Sequence, residues 1–306
     1  MKRVVVTGAD GFIGTHFLKK CEQEETEVWA IVHPQYGNQG NICGNKGIHI
    51  INSTFEDLDQ HIEEFPDQID AFYHFAWIGV DANLRNKFEI QIQNINLCKY
   101  VLDFAIQLRP RVFIMPGSTN EYMYYGKPID DSAIPSPQDA YGAVKVALRY
   151  LAQSYASQNN LGFIYAVITG IYAPDRRDNN VITYTIERLL KGEKPELTRL
   201  EQLWDYVYVD DAIEALYRIG KSGKDNSFYA IGKGDNQPLR EYIYTIRNII
   251  NPTLPLGIGE RPYLSEKMPS SCIDLSAIKR DTGYEPKVEF KDGIVEVINL
   301  IKNEIP

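Results

Sequence analysis

Residues 3–14 read Arg-Val-Val-Val-Thr-Gly-Ala-Asp-Gly-Phe-Ile-Gly. A short apolar run, Arg3 to Val6, ends in a cluster of turn-forming residues and passes directly into an amphipathic segment. Each glycine answers a steric demand of a strand–turn–helix that receives a pyrophosphate. Gly8 permits the sharp turn, Gly11 lets the main chain approach the anion at the helix N-terminus, and Gly14 lets the helix pack close to the strand. With Asp10, Phe12 and Ile13 completing the loop, a dinucleotide is the natural ligand.

Working outward, short runs rich in Val, Ile and Phe recur at Val28 to Val32, Ile48 to Ile51, Ala71 to Phe75, Val112 to Met115 and Phe163 to Ile168. Such runs suit strands buried on both faces of a parallel sheet, and the stretches between them carry helical periodicity. Asn83 to Leu108 and Ala140 to Gln158 are the longest of these helices. The expected fold is α/β, a Rossmann-type doubly wound parallel sheet. After about residue 170 the rhythm loosens into Pro-, Gly- and charge-rich stretches, with short helices at Val181 to Lys191, Asp210 to Ile219, Leu239 to Ile250 and Phe290 to Ile301. This predicts a dinucleotide-binding domain over 1–170 and a smaller substrate-binding lobe over 171–306, some of whose segments return to the first domain.

The 306 residues suffice for a large core, since a chain of this size removes about 75% of its unfolded surface from water. At 44% hydrophobic and 24% charged the composition is that of an ordinary globular protein. The net charge of −9, from 32 Lys+Arg against 41 Asp+Glu, lacks the positive field that nucleic acid requires. No run is long enough to span a bilayer, and the N-terminus does not read as a signal peptide. Cysteines 21, 43, 98 and 272 form no CxxC pair and no zinc-spaced cluster, so free thiols, a cytoplasmic location and no metal site are expected.

Three further segments carry chemistry. The second strand ends in Val32-His33-Pro34 with no Asp or Glu to bind the adenosine ribose; His33 at that end favours NADP(H), with NAD(H) as the lesser alternative. Tyr141 and Lys145 stand four residues apart at the start of a predicted helix, sharing a face about 6 Å apart. A phenol, ordinarily near pKa 10, exchanges a proton with a carbonyl or alcohol at neutral pH when a nearby ammonium and an oxidised nicotinamide lower it. Ser118, 23 positions before Tyr141, follows the fifth predicted strand, where its hydroxyl can bond the same substrate oxygen.

Together these segments resemble the extended short-chain dehydrogenase/reductases, in particular the nucleotide-sugar epimerase, dehydratase and reductase group. Tyr73-His74-Phe75-Ala76 is similar to the family's "HLAA" strand end and Asn94-Ile95-Asn96 to its "NVxGT" helix. Leu203 to Asp211 is similar to "(R/W)DFxxVDD" and Tyr229 to Gly232 to "YNIG". The resemblance implies Ser118, Tyr141 and Lys145 as catalytic residues, with Phe75, Ala76 and Asn94 beside the cofactor. It further implies a nucleotide-sugar substrate and a homodimer formed through two long helices.

GSTNEY at 117–122 resembles the "GSxxEYG" pattern of a subgroup containing 4-keto-6-deoxy sugar-nucleotide reductases. That resemblance implies NADPH-dependent reduction of a C4 keto group for surface polysaccharide or glycan biosynthesis. An NAD-dependent 4-epimerase is the first alternative. A 4,6-dehydratase is the next, because the acid pair of the dehydratases falls on Thr119 and Asn120. A cofactor-binding regulator without turnover is the non-enzymatic alternative. For the substrate, the family's diphosphate-binding Arg falls on Trp204 and its "NVYGP" Asn on Gly170, leaving Arg176, Arg177, Arg199 and Arg261 as candidate cations.

Overall fold

In the computed structural model, which describes residues 1–42, 46–176, 180–263 and 267–304, the apolar runs become parallel strands of one central sheet. These are β1 (Arg3–Thr7), β2 (Glu27–Val32), β3 (Ile48–Asn52), β4 (Ala71–His74), β5 (Phe113–Ser118) and β6 (Phe163–Ile168). A seventh strand, Ser227–Ile231, lies beside β6. The order across the sheet is Ser227–Ile231, β6, β5, β4, β1, β2, β3. Val4, Val5 and Val6 have no exposed surface, as expected of a central strand covered on both faces. The order reverses between β1 and β4, and open α/β sheets bind ligands in the crevice at such a switch point.

The helices covering the sheet include α1 (Phe12–Gln23), α2 (Phe88–Leu108) and α3 (Ala140–Gln158). The last runs as its periodicity predicts, capped by Asp139, whose Oδ1 accepts the Gly142 N–H at 2.8 Å. The second starts at Phe88, five residues after the expected Asn83, because the carbonyl of Asp81 accepts the N–H groups of Leu84 and Arg85 and closes a separate turn. Apolar periodicity does not register that turn, yet it delivers Arg85 to the site.

Beyond β6 the chain builds the other wall of the crevice. Gly170–Tyr172 pairs in parallel with Tyr206–Tyr208, and Leu203–Trp204 pairs antiparallel with Gln237–Pro238. Helices α4 (Val181–Leu190) and α6 (Leu239–Ile250) and the helix Phe290–Glu304 surround an aromatic knot in which the ring centroids of Tyr206 and Phe290 both lie within 5.0 Å of that of Tyr242. The helix between them, α5 (Val209–Ser222), leads into the seventh strand of the main sheet. No helix among the described residues is long and apolar enough to cross a membrane. Cys21, Cys98 and Cys272 are free and buried; Cys43 lies outside the described residues.

Candidate active site

A cleft of about 750 Å³ runs over the C-terminal ends of β1, β4, β5 and β6. At one end stands the glycine turn. Gly8 has φ +66°, and a Cβ there would lie 2.6 Å from the Ala76 nitrogen; at Gly14 one would lie 2.2 Å from the Gly8 carbonyl oxygen. Both close approaches are what the sequence demands of these positions. Helix α1 starts at Phe12 with Gly11 as N-cap, no side-chain cap and no acidic residue in its first turn. No acidic side chain of the first turn therefore neutralises its positive end. These features fit a dinucleotide pyrophosphate, and Asp10, Phe12, Ile13, Phe75 and Ala76 line the same stretch. His74, at the end of β4, bonds Thr7 Oγ1 through Nδ1 at 2.7 Å; burial, helped by the Lys145 charge, drives its pKa down to about 3 and keeps it neutral.

His33 follows β2 as expected and lines the cleft. Its Nδ1 accepts the N–H groups of Gln35 and Tyr36, at 3.1 and 3.2 Å, and its ring stacks on Tyr36. Asp10 Oδ2 accepts the Asn38 N–H at 2.7 Å, which ties the loop after β2 to the glycine turn and puts a carboxylate in this wall.

The catalytic candidates converge at the far end. Ser118, the last residue of β5, caps the single turn Thr119–Glu121. Its side chain lines the cleft together with the Tyr141 phenol, which the first turn of α3 presents. Lys145, one turn later, is buried, donates from Nζ to the Pro116 carbonyl at 2.8 Å, and lies 3.8 Å from the centroid of the Trp77 ring. The sequence reading makes Lys145 the group that lowers the phenol's pKa. In the structure the Lys145 ammonium lies 5.7 Å from the Tyr141 ring centroid. Burial pushes Tyr141 up to about 12, opposed by the Arg85 guanidinium, which lies 5.4 Å from the ring centroid. Arg85 and Trp77 both line the cleft. No motif flags either of them, since Arg85 depends on an irregular turn and Trp77 on the residue just past a strand end.

Asn94 also borders the cleft, but its amide is used elsewhere: Oδ1 accepts the Ile78 N–H at 2.8 Å and Nδ2 donates to the Ile78 carbonyl at 3.0 Å. It braces the loop after β4. Thr119 and Asn120 line the cleft as expected. The first is buried and accepts the Ser271 hydroxyl at 2.9 Å, and the second donates to Asp139 at 3.1 Å.

The arginine candidates separate. Arg176 lines the cleft, 4.8 Å from the Phe12 ring centroid, with Nη1 donating to the Ile171 carbonyl at 3.4 Å. Arg199 and Arg261 do not line it. Arg199 is exposed, and Arg261 pairs with Glu196 at 3.7 Å and stacks on Tyr184. Arg177 lies outside the described residues. Gly170 and Trp204 do face the cleft, together with Tyr206. A Cβ at Gly170 would lie 2.9 Å from the Tyr206 ring, so the tyrosine occupies the space an Asn side chain would take. Trp204 Nε1 is buried without a hydrogen-bond partner.

The profile of the NAD dependent epimerase/dehydratase family matches residues 4–232. Among curated proteins, the chain is 24% identical to the CDP-abequose synthase of Salmonella typhimurium, covering 97% of this chain and 98% of that protein. It is 26% identical to a putative UDP-glucose 4-epimerase of Methanocaldococcus jannaschii, covering 98% of each. Among solved structures, UDP-glucuronic acid 4-epimerase from Bacillus cereus, in complex with UDP-glucuronic acid and NAD, superposes with a TM-score of 0.83 at 21% identity over 99% of both chains.

Proposed function

The chain belongs to the NAD dependent epimerase/dehydratase family, and from that premise we propose that it reduces the C4 keto group of a nucleotide-linked 4-keto-6-deoxyhexose. The observation that carries this reading is the convergence of Ser118, Tyr141 and Lys145 on the cleft that begins at the glycine turn. Burial raises the Tyr141 phenol above its ordinary range, so it is a proton donor at neutral pH. Hydride is what the reduced nicotinamide supplies when bound. Tyr141 gives its proton to the carbonyl oxygen as C4 is reduced, Ser118 bonds that oxygen as charge develops on it, and Lys145 holds the nicotinamide ribose. The phenolate then recovers its proton from solvent. From the residues, elimination of water is the weaker reading: the two dehydratase positions hold Thr119 and Asn120, neither a usable base, and the neighbouring Glu121 does not line the cleft.

Arg176 is the cation we assign to the substrate diphosphate, with Trp204 and Tyr206 as the wall beside it. For the cofactor, the sequence favours NADP(H), but the geometry supports NAD(H). Asp10 is tied to the loop that follows His33 through the Asn38 N–H and lines the cleft beside it. A ribose phosphate there would face its carboxylate. The free, buried cysteines fit a reducing compartment such as the cytoplasm. We further propose a homodimer through α2 and α3, which pack together and leave Phe88, Ile92, Tyr100, Tyr150 and Leu151 exposed. Sedimentation should show a dimer that Ile92→Glu with Leu151→Glu converts to monomer; a wild-type monomer would refute it.

The deciding experiment follows reduced-nicotinamide absorbance with NADH or NADPH and a panel of dTDP-, CDP-, UDP- and GDP-4-keto-6-deoxyhexoses, with Tyr141→Phe as control. Stoichiometric consumption that the variant loses by about 10²- to 10⁴-fold is expected of a reductase. Interconversion of a UDP-hexose and its C4 epimer without net consumption would identify an epimerase instead.

A further inference from the structure

Directly behind the Ser118–Tyr141 pair lies a carboxyl group with no exposed surface at all, that of Glu121. One of its oxygens, Oε1, accepts the Ser118 N–H at 2.7 Å and the Tyr165 hydroxyl at 2.8 Å; the same hydroxyl lies 3.3 Å from the Lys145 carbonyl oxygen. The other oxygen, Oε2, is buried with no hydrogen-bond partner. The chain makes room for this group. A Cβ on Gly117 would lie 2.8 Å from Oε1 and 2.5 Å from the Tyr165 ring. Part of the arrangement is explained locally, because Ser118-Thr-Asn-Glu121 is a capping box in which N-cap and third residue satisfy each other's main-chain donors. A capping box works equally well with Gln, so it gives no reason to bury a charge.

The reason lies in the groups that face the pair. Lys145 is 6% exposed, and its hydrogen bond goes to a neutral carbonyl. From α3, Tyr141 and Arg149 face Glu121; from β6, Tyr165 does. Lys145 is faced by His74 on β4 and Cys98 on α2. Burial keeps His74 neutral and raises the Cys98 thiol to about 12, so neither supplies a negative charge at neutral pH. The Arg149 guanidinium is already engaged by Asp131 at 3.1 Å and by the Tyr122 hydroxyl at 2.7 Å. Among the described residues, Glu121 is the carboxyl group whose charge acts on Lys145, joined to it through the Tyr165 hydroxyl that lies between Oε1 and the Lys145 carbonyl. Burial pushes its carboxyl up and the ammonium down, and each partner's charge opposes the other's shift.

We propose that Glu121 is a positioning residue that keeps Lys145 charged inside the cleft wall and so keeps the site competent to hold the dinucleotide. The proposal rests on the assignment of Lys145 to the nicotinamide ribose, and is independent of which sugar is bound.

The test is Glu121→Gln, which preserves both acceptor contacts and the capping box while removing the charge. NADH affinity would be titrated by fluorescence from pH 6 to 10 in the wild type, Glu121→Gln, Glu121→Asp and Lys145→Met, with circular dichroism and melting curves as fold controls. We expect the wild type to lose affinity on an alkaline limb that Lys145→Met abolishes. In Glu121→Gln that limb should move at least about one pH unit toward acid, so that binding is about tenfold weaker on the limb and converges with the wild type below it. Glu121→Asp should restore it. Coincident profiles for wild type and Glu121→Gln would overturn the proposal and leave Glu121 a capping residue. If Glu121→Gln does not fold, Glu121→Asp decides: a wild-type limb supports the charge role and an acid-shifted one refutes it. A wild type without NADH affinity, or with a limb that survives Lys145→Met, would instead refute the assignment of Lys145.

Discussion

Asp10 shows how one side chain redirects a prediction made from another. The missing carboxylate at the end of β2 argues for a ribose phosphate when the sequence is read strand by strand, because neighbouring loops cannot be placed from a single chain. In the fold, Asp10 bonds the Asn38 N–H and lines the same wall as His33. Removing its charge should therefore relax discrimination against NADPH. Asp10→Ala is expected to raise NADPH affinity relative to NADH by about tenfold, the effect of one unfavourable charge contact of about 1.4 kcal/mol at a partly solvated site. Fluorescence titration of both reduced cofactors measures it, and an unchanged ratio would show that Asp10 serves the loop alone. Ser118, Tyr141 and Lys145 were legible for the opposite reason: their spacing is fixed within one strand end and one helix turn, so geometry follows from sequence number. The pKa of Tyr141 was not legible, since it depends on burial and on Arg85, which a distant turn delivers.

The segment between β4 and α2 illustrates the same limit for whole elements. Apolar spacing extends the helix back to Asn83, but backbone hydrogen bonds at Asp81 break it, and residues 77–87 wrap over the catalytic end of the cleft. Two buried amides on α2 hold this wrap in place. Gln91, fully buried, accepts the Trp77 indole N–H at 3.1 Å and donates to the carbonyls of Gly79 and Leu84 at 2.7 and 3.1 Å. Asn94 grips Ile78 in the same way. Polar residues on a helix face read as solvent-exposed in a periodicity pattern, which is why their structural role could not be foreseen. Gln91→Ala would remove the partner of one donor and two acceptors, all part-buried, at a cost of about 1–2 kcal/mol. Urea denaturation should show that loss. Trp77 should also leave its place above Lys145, which a change in tryptophan emission would report. A stable variant with unaltered emission would mean that the wrap is held by other contacts.

Across the whole molecule, tyrosine is the dominant large core residue, and this gives the protein a defined alkaline limit. Tyr73, Tyr122, Tyr165, Tyr242 and Tyr284 are among its largest fully buried side chains. Burial raises the pKa of each above the ordinary value, and neighbouring carboxylates add to the effect at Tyr122, Tyr165, Tyr242 and Tyr284. The sign of the consequence follows from proton linkage. Above about pH 10 an unfolded chain releases these protons while the folded chain keeps them, so the folded state binds more protons and stability falls as pH rises. Below that pH both states hold the protons and the stabilisation is complete. Each such tyrosine contributes a slope of up to about 1.4 kcal/mol per pH unit, so several together exceed the stability of a typical domain within two units. The urea midpoint should therefore decline gently from about pH 8.5, where unfolded thiols ionise while the buried Cys21, Cys98 and Cys272 keep their protons, and drop steeply between about pH 10 and 11.5. Tyrosinate absorbance from these groups should rise in step with the loss of circular dichroism. Gradual ionisation near pH 10 with the fold intact would instead mean that the core admits water to its phenols.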